Sequence, residues 1–348
     1  MTTLYLIRHA EAEGNLYRRA HGHYDSAITD RGYRQIAALL RRFEGERIDA
    51  VYASDLLRAR TTALALTMPR GLPLHTTPDL REVGIGAWED LPWAYLSHFH
   101  REEMIRFARD SAHWNVSGGE DVAAVRERML HALRRIAAVH PDGTAALVSH
   151  GMALRLLIGT LQGLTLAEID RTGHAENTAV SKLEVEGDEI RVIFRDDASH
   201  LPDEITTLRR QTWTKQKDGV EEGIYFLPEP GQEGGFRVLS GEMPVGSVRV
   251  SLRGGAAQID ELRLDECARG CGCGIQLVGQ AVSYARARGC DTLRAAVARN
   301  DALALRRAAQ YGFRIADETP ERVVLEKYIG YDPAYRIKRF DEAYRDAT

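Results

Sequence analysis

Strand-length apolar runs alternate with helix-length amphipathic stretches as far as Leu161, and this alternation constrains the fold more than any other feature. Residues 4–7, 48–53 and 145–148 read as buried strands. Residues 30–43 follow Thr29, a helix N-cap type, and place Ile36, Leu39, Leu40 and Phe43 on one side. Residues 56–68 read as a helix ended by Pro69, 121–139 as a long helix and 152–161 as another. This order predicts an α/β fold with a mainly parallel sheet covered on both faces. The rhythm breaks from Asp196 to about Gly223, where the polar TWTKQKDGVEEG reads as a connection between domains. Strand-like runs follow at 223–227, 236–239, 245–252 and 257–264. A glycine-rich turn, a helix over 275–288, and elements at 293–297, 302–309, 313–315 and 322–327 complete a second, smaller α/β unit. A length of 348 residues also favours two cores over one. The boundaries read as a first domain over 1–200, a linker over 201–222, a second domain over 223–330 and a helical tail over 331–348.

Charge and composition narrow the function. The net charge of -4, with acids interspersed among the arginines, supplies no basic field for nucleic acid or an anionic membrane. The opening MTTLYLIRHAE lacks the regions of a secretory signal, and no uncharged run reaches the length of a membrane span. The expected location is the cytoplasm. The four cysteines, Cys267, Cys271, Cys273 and Cys290, raise a zinc site. The one-residue spacing of Cys271 and Cys273 inside a glycine run favours small residues packed in a tight loop instead.

Arg8 and His9 directly follow the strand 4–7, and Ser149 and His150 directly follow 145–148. In open parallel sheets, ligands bind beyond the carboxyl ends of strands. Either histidine alone would be an ordinary loop residue; the matched pair points to one pocket.

Several separate motifs now carry a family resemblance. LIRHAE holds Arg8 and His9, with Asn15 six residues later. Gly22, Asp25, Thr29, Gly32 and Gln35 fit a G-x-x-D-x-x-L-T-x-x-G-x-x-Q pattern, with Ile28 in the Leu place. YASDLLRARTTA supplies Arg58, LREVGIGAWED supplies Glu82, and SGGED and VSHGMALR follow, the last with His150. From Leu4 to about Leu183 the chain resembles the histidine phosphatase (phosphoglycerate-mutase-like) superfamily. The resemblance implies a three-layer α/β/α domain and a phosphohistidine on His9, hydrolysing a small-molecule phosphomonoester without a metal. Arg8, Arg58 and Asn15 would hold the phosphate, since guanidinium forks suit phosphate oxygens. His150 would donate to the transferring group, and Glu82 would protonate the leaving oxygen and then accept a proton from water. The run after Glu82 lacks the Glu-Arg-His-Tyr-Gly of mutases and resembles the phosphatase branch; a mutase-type phosphotransferase is the alternative. Ala10, Ala12 and Asp90 depart from the family pattern, Asp90 standing where Gly commonly follows Trp-Glu. The aromatics Trp88, Trp93, Tyr95, Phe99, Phe107 and Trp114 read as cap packing ahead of a ring-stacking site.

Arg269-Gly-Cys-Gly-Cys-Gly274 stands between a strand and a helix, where backbone amides make an anion site. Its spacing resembles the GNAT acetyltransferase signature Q/R-x-x-G-x-G/A, and Tyr311-Gly-Phe313 resembles that family's closing motif. The resemblance implies acetyl-CoA, with pantetheine along Leu262–Leu264 and the pyrophosphate on Arg269, Gly270, Gly272 and Gly274. Ala308 stands in the place of the usual acid Tyr, Tyr311 is out of register, and the acceptor region between Gly223 and Phe236 is short. Glu261 is a candidate base, although a solvated strand carboxylate is the plainer reading. The sequence therefore supports a bifunctional phosphatase and N-acetyltransferase. The alternatives are a phosphatase whose second domain only binds acyl-CoA or forms a homodimer, and a non-catalytic phosphoprotein-binding scaffold. The intact Arg8, His9, Arg58, Glu82 and His150 set argues against the scaffold.

Overall fold

The computed structural model describes residues 1–210 and 223–345, so most of the TWTKQKDGVEEG connector lies outside the described residues. The first sheet contains β1 (Thr2–Arg8), β2 (Ala50–Ser54), β3 (Leu74–Thr77), β4 (Thr144–Ser149), β5 (Val180–Glu186) and β6 (Glu189–Asp197). Their spatial order is β3-β2-β4-β1-β5-β6. The first four are parallel, and β5 and β6 add an antiparallel edge. Side chains alternate across β1: Leu4 and Leu6 pack with Val125, Met129, Leu133 and Ile158, whereas Tyr5 and Ile7 pack with Ile36, Leu39 and Leu66. Helices Val122–Ala138 and Gly151–Leu161 therefore cover one face and Asp30–Arg42 the other, giving three layers. Thr29 caps Asp30–Arg42 as expected, its Oγ1 accepting from the Gly32 N–H at 3.0 Å.

The second sheet contains β7 (Ile224–Pro228), β8 (Gly235–Ser240), β9 (Met243–Arg253), β10 (Ala256–Leu264), β11 (Thr292–Ala298), β12 (Arg314–Glu318) and β13 (Arg322–Tyr328). It is mixed, in the order β12-β13-β11-β10-β9-β8-β7. Only the β10–β11 pair is parallel. Helix Gly274–Arg286 buries Leu277, Val278, Ala281 and Val282 against it.

Two features differ from the sequence reading, and the helical tail is placed. The helix expected over 56–68 is broken into Leu57–Thr62 and Leu64–Thr67, with Pro69 in a following 3-10 turn. Residues 201–208, read as the start of a linker, pack on the first domain. Leu201, Ile205 and Thr207 are buried, and Gln35 Nε2 donates to Ile205 O at 2.8 Å. The tail forms helix Pro333–Arg345, which returns to the first domain and buries Phe340 and Ala343 in the core with Tyr33, Ile36 and Leu40. Among the described residues, no helix is long and apolar enough to cross a membrane.

Candidate active site

Adjacent parallel strands β1 and β4 pair Arg8 with Ser149, and the His9 N–H donates to Ser149 O at 2.9 Å. This register carries His9 and His150 to one edge with ring centroids 5.2 Å apart. His9 Nδ1 lies 2.7 Å from Ala10 O. A carbonyl only accepts, so Nδ1 carries the hydrogen and Nε2 keeps its lone pair. His150 has the opposite tautomer. Its Nδ1 accepts from Arg58 Nε at 3.1 Å, so the neutral ring bears its hydrogen on Nε2, which is buried and unpartnered. One histidine presents a lone pair and its neighbour presents an N–H.

Burial first, and then the guanidinium groups of Arg58 and Arg8, hold His9 well below the ordinary imidazole range. Burial and Arg58 do the same to His150, and burial followed by Arg58 to His21. Burial also pulls Arg58 down to about 10, which leaves it charged at neutral pH. Arg58 is fully buried, and its terminal nitrogens donate to Tyr24 O at 3.0 Å and Gly22 O at 2.8 Å. It thus acts from behind, fixing His150 and supplying charge, with one N–H left on each terminal nitrogen. Arg8 Nη1 donates to Ala175 O, and its buried Nε has no partner.

These groups open onto a 760 Å³ cleft, a volume suited to a small-molecule substrate. Arg8, His9, Asn15 and Glu82 line it; Arg58 and His150 sit behind the lining. Asn15 Oδ1 accepts from Ala12 N–H at 3.0 Å, leaving its amide hydrogens for a ligand. Both Glu82 oxygens accept from the start of helix Gly151–Leu161, from Met152 N–H at 3.1 Å and Ala153 N–H at 2.9 Å. Of the cap aromatics, Trp88 and Trp114 are buried packing, whereas Trp93 and Phe107 line the cleft.

The sequence reading missed His21, Arg18, Arg19 and Arg155, which also line the cleft. His21 has its ring 6.2 Å from His9 and is held by Ser26 Oγ at 2.9 Å. Arg155 lies one turn along the helix from Gly151 and was visible inside VSHGMALR. Glu11 was missed as well: fully buried, it accepts from Thr29 Oγ1 at 2.7 Å and Thr207 Oγ1 at 3.1 Å.

The family model for the histidine phosphatase superfamily (branch 1) matches residues 4–197. The chain belongs to that superfamily. The acetyltransferase (GNAT) family model matches residues 197–313. The "Probable phosphoglycerate mutase GpmB" of Yersinia pestis (strain Pestoides F) is 32% identical over 184 residues, covering 53% of this chain and 85% of that protein. Among solved structures, Bacillus stearothermophilus YhfR is 30% identical with a TM-score of 0.56, covering 57% of this chain and 99% of that one. The alpha-ribazole phosphatase from Shigella flexneri is 27% identical with a TM-score of 0.51, covering 56% of this chain and 96% of that one.

In the GNAT domain, the parallel β10–β11 pairing covers only Ala257–Ile259, and Glu261–Leu264 continue paired to β9 alone. The strands part beside Leu262 and Leu264, which fits an extended ligand laid along β10. The following loop is exposed, and Gly270 and Gly272 have φ of +81° and +80°, a left-handed backbone that side chains disfavour. Arg269 Nε donates to Leu264 O at 2.8 Å, which fixes the loop entrance. The Tyr311 hydroxyl would lie 3.3 Å from a Cβ at Gly274 and so reaches the helix start, although its position in sequence is out of register. Glu261 accepts from Ser247 Oγ and pairs with Arg249, which commits the carboxylate to its own strand neighbours. Cys271 and Cys273 have sulfurs 3.1 Å apart, and Cys290 lies in the apolar core.

Proposed function

We propose that the first domain hydrolyses a phosphomonoester through a phosphohistidine on His9. The complementary tautomers of His9 and His150 carry this reading. The Nε2 lone pair of His9 attacks phosphorus, the bond from phosphorus to the ester oxygen breaks, and Glu82 gives that oxygen a proton. Arg8, Arg58, Asn15 and the His150 N–H balance the charge on the transferring oxygens. In the second step water attacks phosphorus, the N–P bond breaks and Glu82 takes the proton from water. The phosphatase run after Glu82 and the likeness to the alpha-ribazole phosphatase over 56% of this chain support hydrolysis; the likeness to a probable phosphoglycerate mutase keeps mutase-type transfer as the second reading.

The second domain is read as an acyl-CoA site, with Leu262 and Leu264 facing pantetheine and the Arg269–Gly274 loop holding the pyrophosphate. Acyl transfer to an amine is the activity that such a site supports; an acyl-CoA-binding module without transfer is the second reading, favoured by Ala308 and the committed Glu261. Phosphate release from a panel of phosphomonoesters by wild type and His9→Ala tests the first domain. An acid-labile phosphoryl group on wild type, absent from His9→Ala, is the expected result. Release that survives His9→Ala would overturn the mechanism. Calorimetry with acetyl-CoA, followed by a transfer assay on amines, tests the second domain and separates its two readings.

A further inference from the structure

We propose that Gln280 and Ser283, in the GNAT domain, are positioning residues of the phosphatase cleft; this rests on reading that cleft as a phosphomonoesterase site. The segment from Glu13 to His21 follows the nucleophile and lines the cleft through Asn15, Arg18, Arg19 and His21. Its outer side lies against helix Gly274–Arg286. Tyr17 is buried in the apolar core of the GNAT domain, beside Val278 and Val282. Gly279 provides the room for it, because a Cβ there would stand 2.5 Å from that of Tyr17. Arg286 Nη2 donates to Glu13 Oε2 at 2.8 Å in a pair that is almost fully buried.

Arg19 joins the two sides. It lines the cleft yet is 7% exposed, and every guanidinium nitrogen is engaged. Nε donates to Asp90 Oδ1 at 2.7 Å, Nη1 to Gln280 Oε1 at 3.0 Å, and Nη2 to Ser283 Oγ at 3.1 Å and to the Asp90 carbonyl. Ser283 Oγ in turn donates to Asp90 Oδ2 at 2.5 Å. Asp90 has φ +58°, and the family resemblance places a Gly commonly at this position. A backbone suited to glycine instead bears a carboxylate, and that carboxylate closes the network between the domains. Without Gln280 and Ser283, Arg19 keeps Asp90 alone and two buried donors lose their acceptors. The wall bearing His21 and Asn15 then loses its outer support.

The test compares full-length wild type with the double variant Gln280→Leu, Ser283→Ala on the best phosphomonoester. Active sites are counted by calorimetric titration with orthovanadate, a phosphate mimic. We expect KM to rise about tenfold, as for the loss of one well-placed hydrogen bond to a charged group, with kcat per titrated site within about twofold. Ser283→Thr, which keeps the hydroxyl, is expected to stay near wild type. KM within about twofold of wild type, or a loss of activity that only tracks a loss of titrated sites, would overturn the proposal. If wild type releases no phosphate at all, the hydrolysis reading fails separately. The vanadate affinity of the double variant then decides: weaker binding supports the positioning role, and unchanged binding overturns it.

Discussion

His150 and Arg58 are fully buried behind His9, whereas the loop from Arg269 to Gly272 lies exposed before helix Gly274–Arg286. In the proposed phosphatase reaction, the cleft would work through side chains whose tautomers are set by hydrogen bonds and whose charges are set by burial. In the proposed acyl-CoA site, the glycine loop would offer main-chain amides and a helix end, with Arg269 the charged side chain at its entrance. Chemistry held in side chains is sensitive to their identity and to pH. Chemistry held in the backbone is sensitive to conformation and to little else.

The comparison is sharpened most by His9→Ala, which is expected to reduce phosphate release at least about 10³-fold and to leave acetyl-CoA affinity unchanged in calorimetry. Replacing the unpartnered donor in His150→Ala is expected to cost roughly 10²–10³ in kcat, read in the same phosphate-release assay. The reverse experiment is Gly272→Val. A β-branched residue at φ +80° is strained, so acetyl-CoA is expected to bind about tenfold more weakly while phosphate release stays within about twofold. Equal losses at both sites in any of these variants would break the contrast.

The smallest effect is a pH dependence confined to the first domain. His9, His21 and His150 are held well below 6.5 in the folded chain, chiefly by burial. The unfolded chain therefore binds more protons once the pH drops below about 6.5, and stability falls as the solution is acidified. Each histidine adds up to about 1.4 kcal/mol per pH unit to that slope. Denaturant titrations between pH 7.5 and 5.5 should show the slope in wild type and a shallower one in His21→Asn. His9 stays neutral through this window, so if it is the nucleophile proposed above, kcat should lack an acid limb centred on 6.5.

The convergence of His9 and His150 was legible because each stands at the end of a fully apolar run, and two such runs in a parallel sheet share an edge. The antiparallel strands β5 and β6 were not identified, since charged residues interrupt both and leave β6 only the short apolar run Val192–Phe194. Thr207 and Leu208 looked like linker because their burial depends on a partner distant in sequence: the Glu176 carboxylate, which accepts their N–H groups at 2.7 and 2.9 Å. Arg19 was silent for a similar reason. Its partners Gln280 and Ser283 belong to the other domain, and no local pattern announces a contact across 261 residues. The exposed glycine loop between strand and helix was legible from its composition, but the reach of Tyr311 to Gly274 depends on a packing that spacing alone placed out of register.

Helix Pro333–Arg345 gives the chain an order of assembly. Phe340 and Ala343 complete the apolar layer against Asp30–Arg42, so the first domain to leave the ribosome is the last to be finished. Until those residues emerge, the nascent first domain carries an open apolar seam beside Tyr33 and Ile36 while the whole GNAT domain is being made. A premature stop in the second half would remove Phe340 and Ala343 and leave that seam uncovered, an exposed apolar surface of the kind that chaperones engage.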